Sequence, residues 1–346
     1  MMGGTVAYAA FLTFCAMLMV LAFRPAWREW RAPTDCLPLS ITKSHTTHID
    51  HLAEEFRQEI TSNLFTSPEE LALKFDMVPE HLAGMDWHAV SKPMISLQSL
   101  DLQNAVKCHT PLYVNGDLHS IGHDAFSGLF VSGKIFLGPH SAVREWVHAD
   151  DAIVLDVACV ALRRISSLVA IELKKKCCFE RLNAPVVFFG PPDEMRMPHS
   201  EVMPLECDVG LLPGALWRTD GLYMIRGDCV LPRHCKFNGS LIVTGHLIVG
   251  AHTIVDGDIK ARKGVSLGTG VQVTGSVISE NEIKMFHGVK IAGLVISETS
   301  VLIGTGSVIG SLAVPSTISA ETIIVESGVI THGTVWARDV GTVWSV

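Results

Sequence analysis

Aromatic residues are scarce in this chain. Phe, Trp and Tyr make up 7% of 346 residues and only three are Tyr, although hydrophobic residues reach 48%. The apolar content is carried mainly by Val, Ile, Leu and Ala, a mixture that suits stacked strands better than a helical bundle. Positive charge is also short: 27 Lys and Arg stand against 35 Asp and Glu, giving a net charge of −8 and a pI near 6.0. A general nucleic-acid binder would carry a basic patch or stripe, so nucleic acid is not expected as a partner. Metal-type cysteine spacing is missing too. Cys15, Cys36, Cys108, Cys159, Cys177, Cys178, Cys207, Cys229 and Cys235 form an odd set, and adjacent Cys177 and Cys178 do not easily share one zinc. They read as reduced thiols in a reducing compartment, and no cofactor or metal is expected.

Charge is absent from Thr5–Phe23, a run long enough to cross a bilayer core as a helix at about 1.5 Å per residue. No Lys or Arg precedes it. Arg24, Arg28 and Arg31 follow, with Trp27 and Trp30 placed for an interfacial belt. By the positive-inside rule this predicts a single-pass inner-membrane anchor with the C-terminal bulk in the cytoplasm. A cleaved signal peptide would want a basic start and a small-residue cleavage site.

Four segments follow from texture. Residues 1–31 are the anchor and its basic, aromatic flank. Residues 32–110 are a linker and a small helical, membrane-proximal region, in which Ile49, Leu52, Phe56, Ile60 and Leu64 share one helical face. Ser67 caps a second helix opening at Pro68, and Val78–Met85 suggests a third. Residues 51–110 hold nine acidic against four basic side chains, which argues against a DNA-binding helix-turn-helix. Residues 111–205 are an irregular β-solenoid-like region of short aliphatic runs, ending in a Pro-rich interruption at Pro191–Pro204. Residues 206–346 are regular.

There, eighteen residues separate Gly221, Gly239, Gly257, Gly275 and Gly293 in turn. Stepping by six from Tyr223 to Ser307 meets no charge, and neither does the series two residues on, from Ile225 to Ile309. Each hexad thus offers a pair at i and i+2 on one face of a short strand. Three hexads close a triangular coil, and coils stack in parallel so that the inward pairs form one apolar column. The fold class is mainly β: a parallel triangular β-solenoid with 18 residues per coil.

Sites are harder to place. His109, His119, His123, His140 and His148, with Asp124, Asp150 and Asp151, could hold a metal or act as acid and base; ordinary surface histidines account for them as well. His234, His246, His252, His287 and His332 fit solenoid corners. Cys229 and Cys235 fall in the inward series as small core residues, and Asp256 and Asp258 are too isolated for paired-carboxylate chemistry. The chain ends on strand-like Gly333–Val346 without a capping helix. An uncovered edge is a template for another chain, with Val335, Trp336, Val343 and Trp344 as the assembly contacts; alternatively the two Trp fold back as a cap.

The stretches "GDIKARKGVSLGTGVQVTGSVIS" and "GLVISETSVLIGTGSVIGS" resemble the bactofilins, bacterial polymer-forming cytoskeletal proteins. The resemblance covers roughly residues 221–341. It implies a solenoid that polymerises end to end without nucleotide, often at the membrane, and scaffolds envelope machinery. The functional expectation is a non-catalytic, self-associating scaffold at the membrane that positions cell-envelope or exopolysaccharide-synthesis proteins. The alternatives are a hexapeptide-type acyltransferase or polysaccharide-modifying enzyme, and a glycan- or partner-binding module that does not polymerise. Against acyl transfer, pairs such as Leu247/Val249 and Ile283/Met285 are bulky at both positions, and no excursion loop interrupts Tyr223–Ile309.

Overall fold

The computed structural model describes residues 2–31, 49–64, 68–79, 85–87, 89–190, 205–206, 215–219 and 221–344. Ser67, most of the expected third helix and the Pro191–Pro204 interruption lie outside them. The chain divides into two compact units, residues 1–48 and 49–346.

The first unit contains helix α1, Met2–Arg31. It runs on through the basic flank, where the Arg31 guanidinium lies 5.1 Å above the Trp27 ring. Among the described residues no helix is long and apolar enough to cross a membrane. This overturns the expected transmembrane helix.

The second unit opens with helices α2, His51–Leu64, and α3, Pro68–Lys74. The apolar stripe of α2 does what its spacing predicts: Ala53, Phe56 and Ile60 are buried, against Phe75, Ile95, Phe130 and Trp146. The helix therefore covers an outer face of the strands that follow.

Those strands form a parallel β-solenoid of about 13 turns, and it comes in two runs. The N-terminal run starts where Asp76–Met77 pairs with Met94–Ser96 and ends at the strand Cys178–Phe189. The C-terminal run goes from Leu222–Ile225 to the strand Val329–Trp344. In the latter the eighteen-residue step holds coil after coil, as in Leu241↔Ile259↔Val277↔Val295. Val265, Val271 and Val277 are each fully buried, and burial of such a side chain stabilises by roughly 1.5–3 kcal/mol. Polar residues in the inward column are satisfied locally. The Thr253 hydroxyl donates to the Pro232 carbonyl at 2.6 Å and that of Ser297 to Asn281 at 2.8 Å. Ser311–Pro315 stretch one step to twenty-three residues at Val295↔Ile318, after which pairing resumes.

The region expected to be irregular is a solenoid of the same kind. Ile135, Ile153 and Ile171 stack at eighteen-residue steps, and the pairing begins upstream of residue 111. Two features hide this period in the sequence. Bulged corners shorten some steps to seventeen, as at Leu112↔Leu129 and Ala125↔Ala142. Inward positions also hold Ser120, Asp124 and Ser141, all buried, in place of aliphatic residues.

Both runs share a corner at which the backbone turns left-handed. It is occupied by His123, His140, Ala158 and Lys176 in the first run, and by His234, His252, Gly270, Gly288 and Gly306 in the second. Histidine tolerates this conformation better than most residues with a Cβ. The expected placing of His234 and His252 on corners follows from that geometry.

Candidate functional site at the seam of two solenoids

The last coil of the chain is not a free edge. The strand Val329–Trp344 pairs antiparallel with Cys178–Phe189, the last coil of the N-terminal run. The two solenoids therefore meet end to end, each through its final coil, and their cores are continuous. Val335 faces Leu182 and Trp336 faces Arg181 across the seam. Val335 and Val343 are buried in it, whereas Trp336 and Trp344 remain 40% and 60% exposed. The Arg181 guanidinium lies 5.1 Å over the Trp336 ring.

Polar contacts fix the register. Val343 N–H donates to the Cys177 carbonyl at 3.0 Å, and Lys176 N–H donates to that of Val343 at 2.8 Å. Thr334 Oγ1 donates to Asn183 Oδ1 at 3.0 Å, and His332 Nδ1 to the Pro185 carbonyl at 2.9 Å. Gly341 passes so close to Phe179 that a Cβ there would sit 2.2 Å from the ring. The expected assembly edge thus has an occupant from its own chain. Its backbone is paired on both sides within the chain. No local signal in the sequence identifies this partner, because the end of each run presents the same kind of backbone edge.

The upstream histidine and aspartate cluster does not converge as a set. His109 is exposed. His119 stacks on Phe136 at 4.7 Å and lies 3.4 Å from Asp101. His123 stacks on His140 at 5.1 Å. Buried Asp124 accepts from Val106 N–H at 2.8 Å and from the Ser141 hydroxyl at 3.1 Å, and Asp151 accepts from Ala152 N–H at 2.7 Å. Among the described residues no three His, Cys, Asp or Glu side chains are grouped to hold a metal.

His148 and Asp150 do come together, with two residues that spacing did not reveal. His148 Nδ1 is 2.8 Å from Ser166 Oγ, one coil away, and Nε2 is 3.3 Å from Asp150 Oδ1. Arg57 of α2 donates to the same carboxylate, with its guanidinium 4.6 Å over Phe130. Burial lowers the His148 pKa, with Asp150 pulling the other way, so the imidazole is neutral at neutral pH. The order Ser–His–Asp invites a nucleophilic reading, but Ser166 is only 4% exposed and His148 only 3%. The network instead clamps α2 to the solenoid.

Two grooves open on the outside near the seam. One, of about 400 Å³, is lined by Phe286, His287, Leu302, Ile324, Glu326 and Trp344. The other, of about 300 Å³, gathers arginines beside Trp336. Comparison of the chain with family models, with curated proteins and with solved structures gave no match.

Proposed function

We propose that the chain is a non-catalytic scaffold that self-associates through the solenoid ends left open after its two runs have joined. A single observation carries this: the ladder stops at strands with a partner on one side. Among the described residues, Leu100–Leu102 pairs only with Leu118–Ser120, and Cys229–Leu231 only with Leu247–Val249. Such edges recruit further strands. Exposed Leu97 beside the first and exposed Val230 on the second add apolar surface. The bactofilin resemblance of residues 221–341 agrees with end-to-end association, here at the starting coils of each run because the final coils are used internally. A solenoid polymer or small oligomer of this kind would position enzymes of envelope or exopolysaccharide synthesis along its faces.

Sedimentation and negative-stain microscopy of the full chain test the proposal. Assemblies should pellet, and Leu97→Lys with Val230→Lys should leave the far-ultraviolet circular dichroism unchanged while releasing single chains. Assemblies that survive both substitutions would reject these ends as the interface.

A further inference from the structure

The arginine cavity at the seam is built from three parts of the fold. Leu52 comes from α2, Trp336 from the last strand of the C-terminal run, and Glu145, Arg163, Arg164, Glu180 and Arg181 from the N-terminal run. Arg163 and Arg164 are consecutive, and in a regular strand their side chains would point to opposite faces. Both nevertheless line this one cavity. The reason is a bulge: the register against Cys178–Phe189 shifts between Ala161 and Arg164, and Arg163 takes φ 67°. A left-handed backbone is costly for a residue with a Cβ, and bulges characteristically re-aim a side chain.

Arg163 and Arg164 are not spent on the glutamates. Glu145 and Glu180 share the cavity wall, yet among the described residues no ion pair within 4.0 Å joins Arg163 or Arg164 to a carboxylate. Arg164 donates to the His51 ring at 2.8 Å. Arg181, stacked on Trp336, has its pKa lowered by burial and by the Arg164 charge beside it. It stays protonated in the neutral range, because a guanidinium starts so high. The cavity therefore concentrates like charges that an oxyanion would neutralise through forked hydrogen bonds.

We propose that this cavity binds a sugar acid or sugar phosphate. Arg163, Arg164 and Arg181 hold the oxyanion, Glu145 and Glu180 accept from ring hydroxyls, and Trp336 meets the apolar face of the ring. The two carboxylates select a ligand with hydroxyl donors over a bare anion. Because Trp336 and Arg181 lie on opposite sides of the seam, the ligand also bridges the two solenoids and stabilises their docking by mass action. The site does not depend on self-association.

Calorimetry and thermal-shift measurements on the full chain test this with glucuronate, glucose 6-phosphate, inorganic phosphate and glucose. Glucuronate or glucose 6-phosphate should bind saturably, at least several-fold tighter than inorganic phosphate, weaken with added salt and raise the melting temperature. Glucose should not bind. Arg163→Gln with Arg164→Gln should weaken binding by about tenfold or more. Arg163→Gln alone, at an exposed position, provides a variant whose fold is easily kept, and it should weaken binding in the same direction. No saturable binding of either acidic sugar, or unchanged binding in arginine variants with the parent's circular dichroism, would overturn the proposal. So would inorganic phosphate binding as tightly as the sugars.

Discussion

At the residue scale, the corner column explains why histidine and glycine recur at equivalent places. Each corner needs a left-handed backbone, and glycine alone adopts it without steric cost. At Gly270, φ is 67° and a Cβ would lie 2.5 Å from Nδ1 of His252 on the coil below. Gly270→Ala should therefore lose about 1–2 kcal/mol in chemical denaturation, with no change in fold. His148 offers a second test. Burial depresses its folded-state pKa below the ordinary 6.5, so below that pH the unfolded chain takes up a proton that the folded one resists. Stability is then full above about pH 6.5 and declines as pH falls. His148→Gln should flatten this part of the pH–stability curve. An unchanged slope would show that other groups set it.

At the element scale, two contacts between distant parts of the chain decide the architecture. Helix α2 is seated by Phe56, edge-on to Trp146 at 5.7 Å, and by the Arg57–Asp150–His148–Ser166 network. The amphipathic stripe of α2 was legible in the sequence. Its acceptor face was not, because Ile95, Phe130 and Trp146 lie in different coils and have no shared local pattern. The seam strands behave similarly. Gly341 allows the close pass over Phe179, so Gly341→Val should force the seam apart while the coils on either side stay folded. Hydrogen exchange should then quicken at residues 178–189 and 329–344 and stay slow at Val265 and Ile153. Loss of protection throughout would mean that the seam and the coils unfold as one unit.

At the scale of the second unit, about 13 turns spaced roughly 4.8 Å apart make a rod of about 60 Å. Joining two runs through their final coils removes the edges that a simple solenoid would leave at those ends. Among the described residues edge strands remain at the starting coils, and the arginine-lined groove at the seam takes its walls from both runs. A solenoid is nearly one-dimensional, so a face can be lengthened by stacking without redesigning its core. That property suits a scaffold, and it places any selective chemistry where the repeat is broken: at the seam, at the bulge of Arg163 and under α2.

The repeat itself was determined by the sequence alone. Uncharged pairs every six residues, with glycine every eighteen, admit no other economical burial, and Val265, Val271 and Val277 are inside accordingly. The same reading located the core cysteines Cys229 and Cys235, both buried. It failed for the regularity of the N-terminal run, where bulges and buried serines blur the period. Only the tertiary structure decided what lies against the last strand, because every coil end presents the same kind of backbone edge and local sequence does not say which two will pair. Thr334 meets Asn183 across a separation of 151 residues, and such a contact is set by shape and register over a whole coil rather than by any motif.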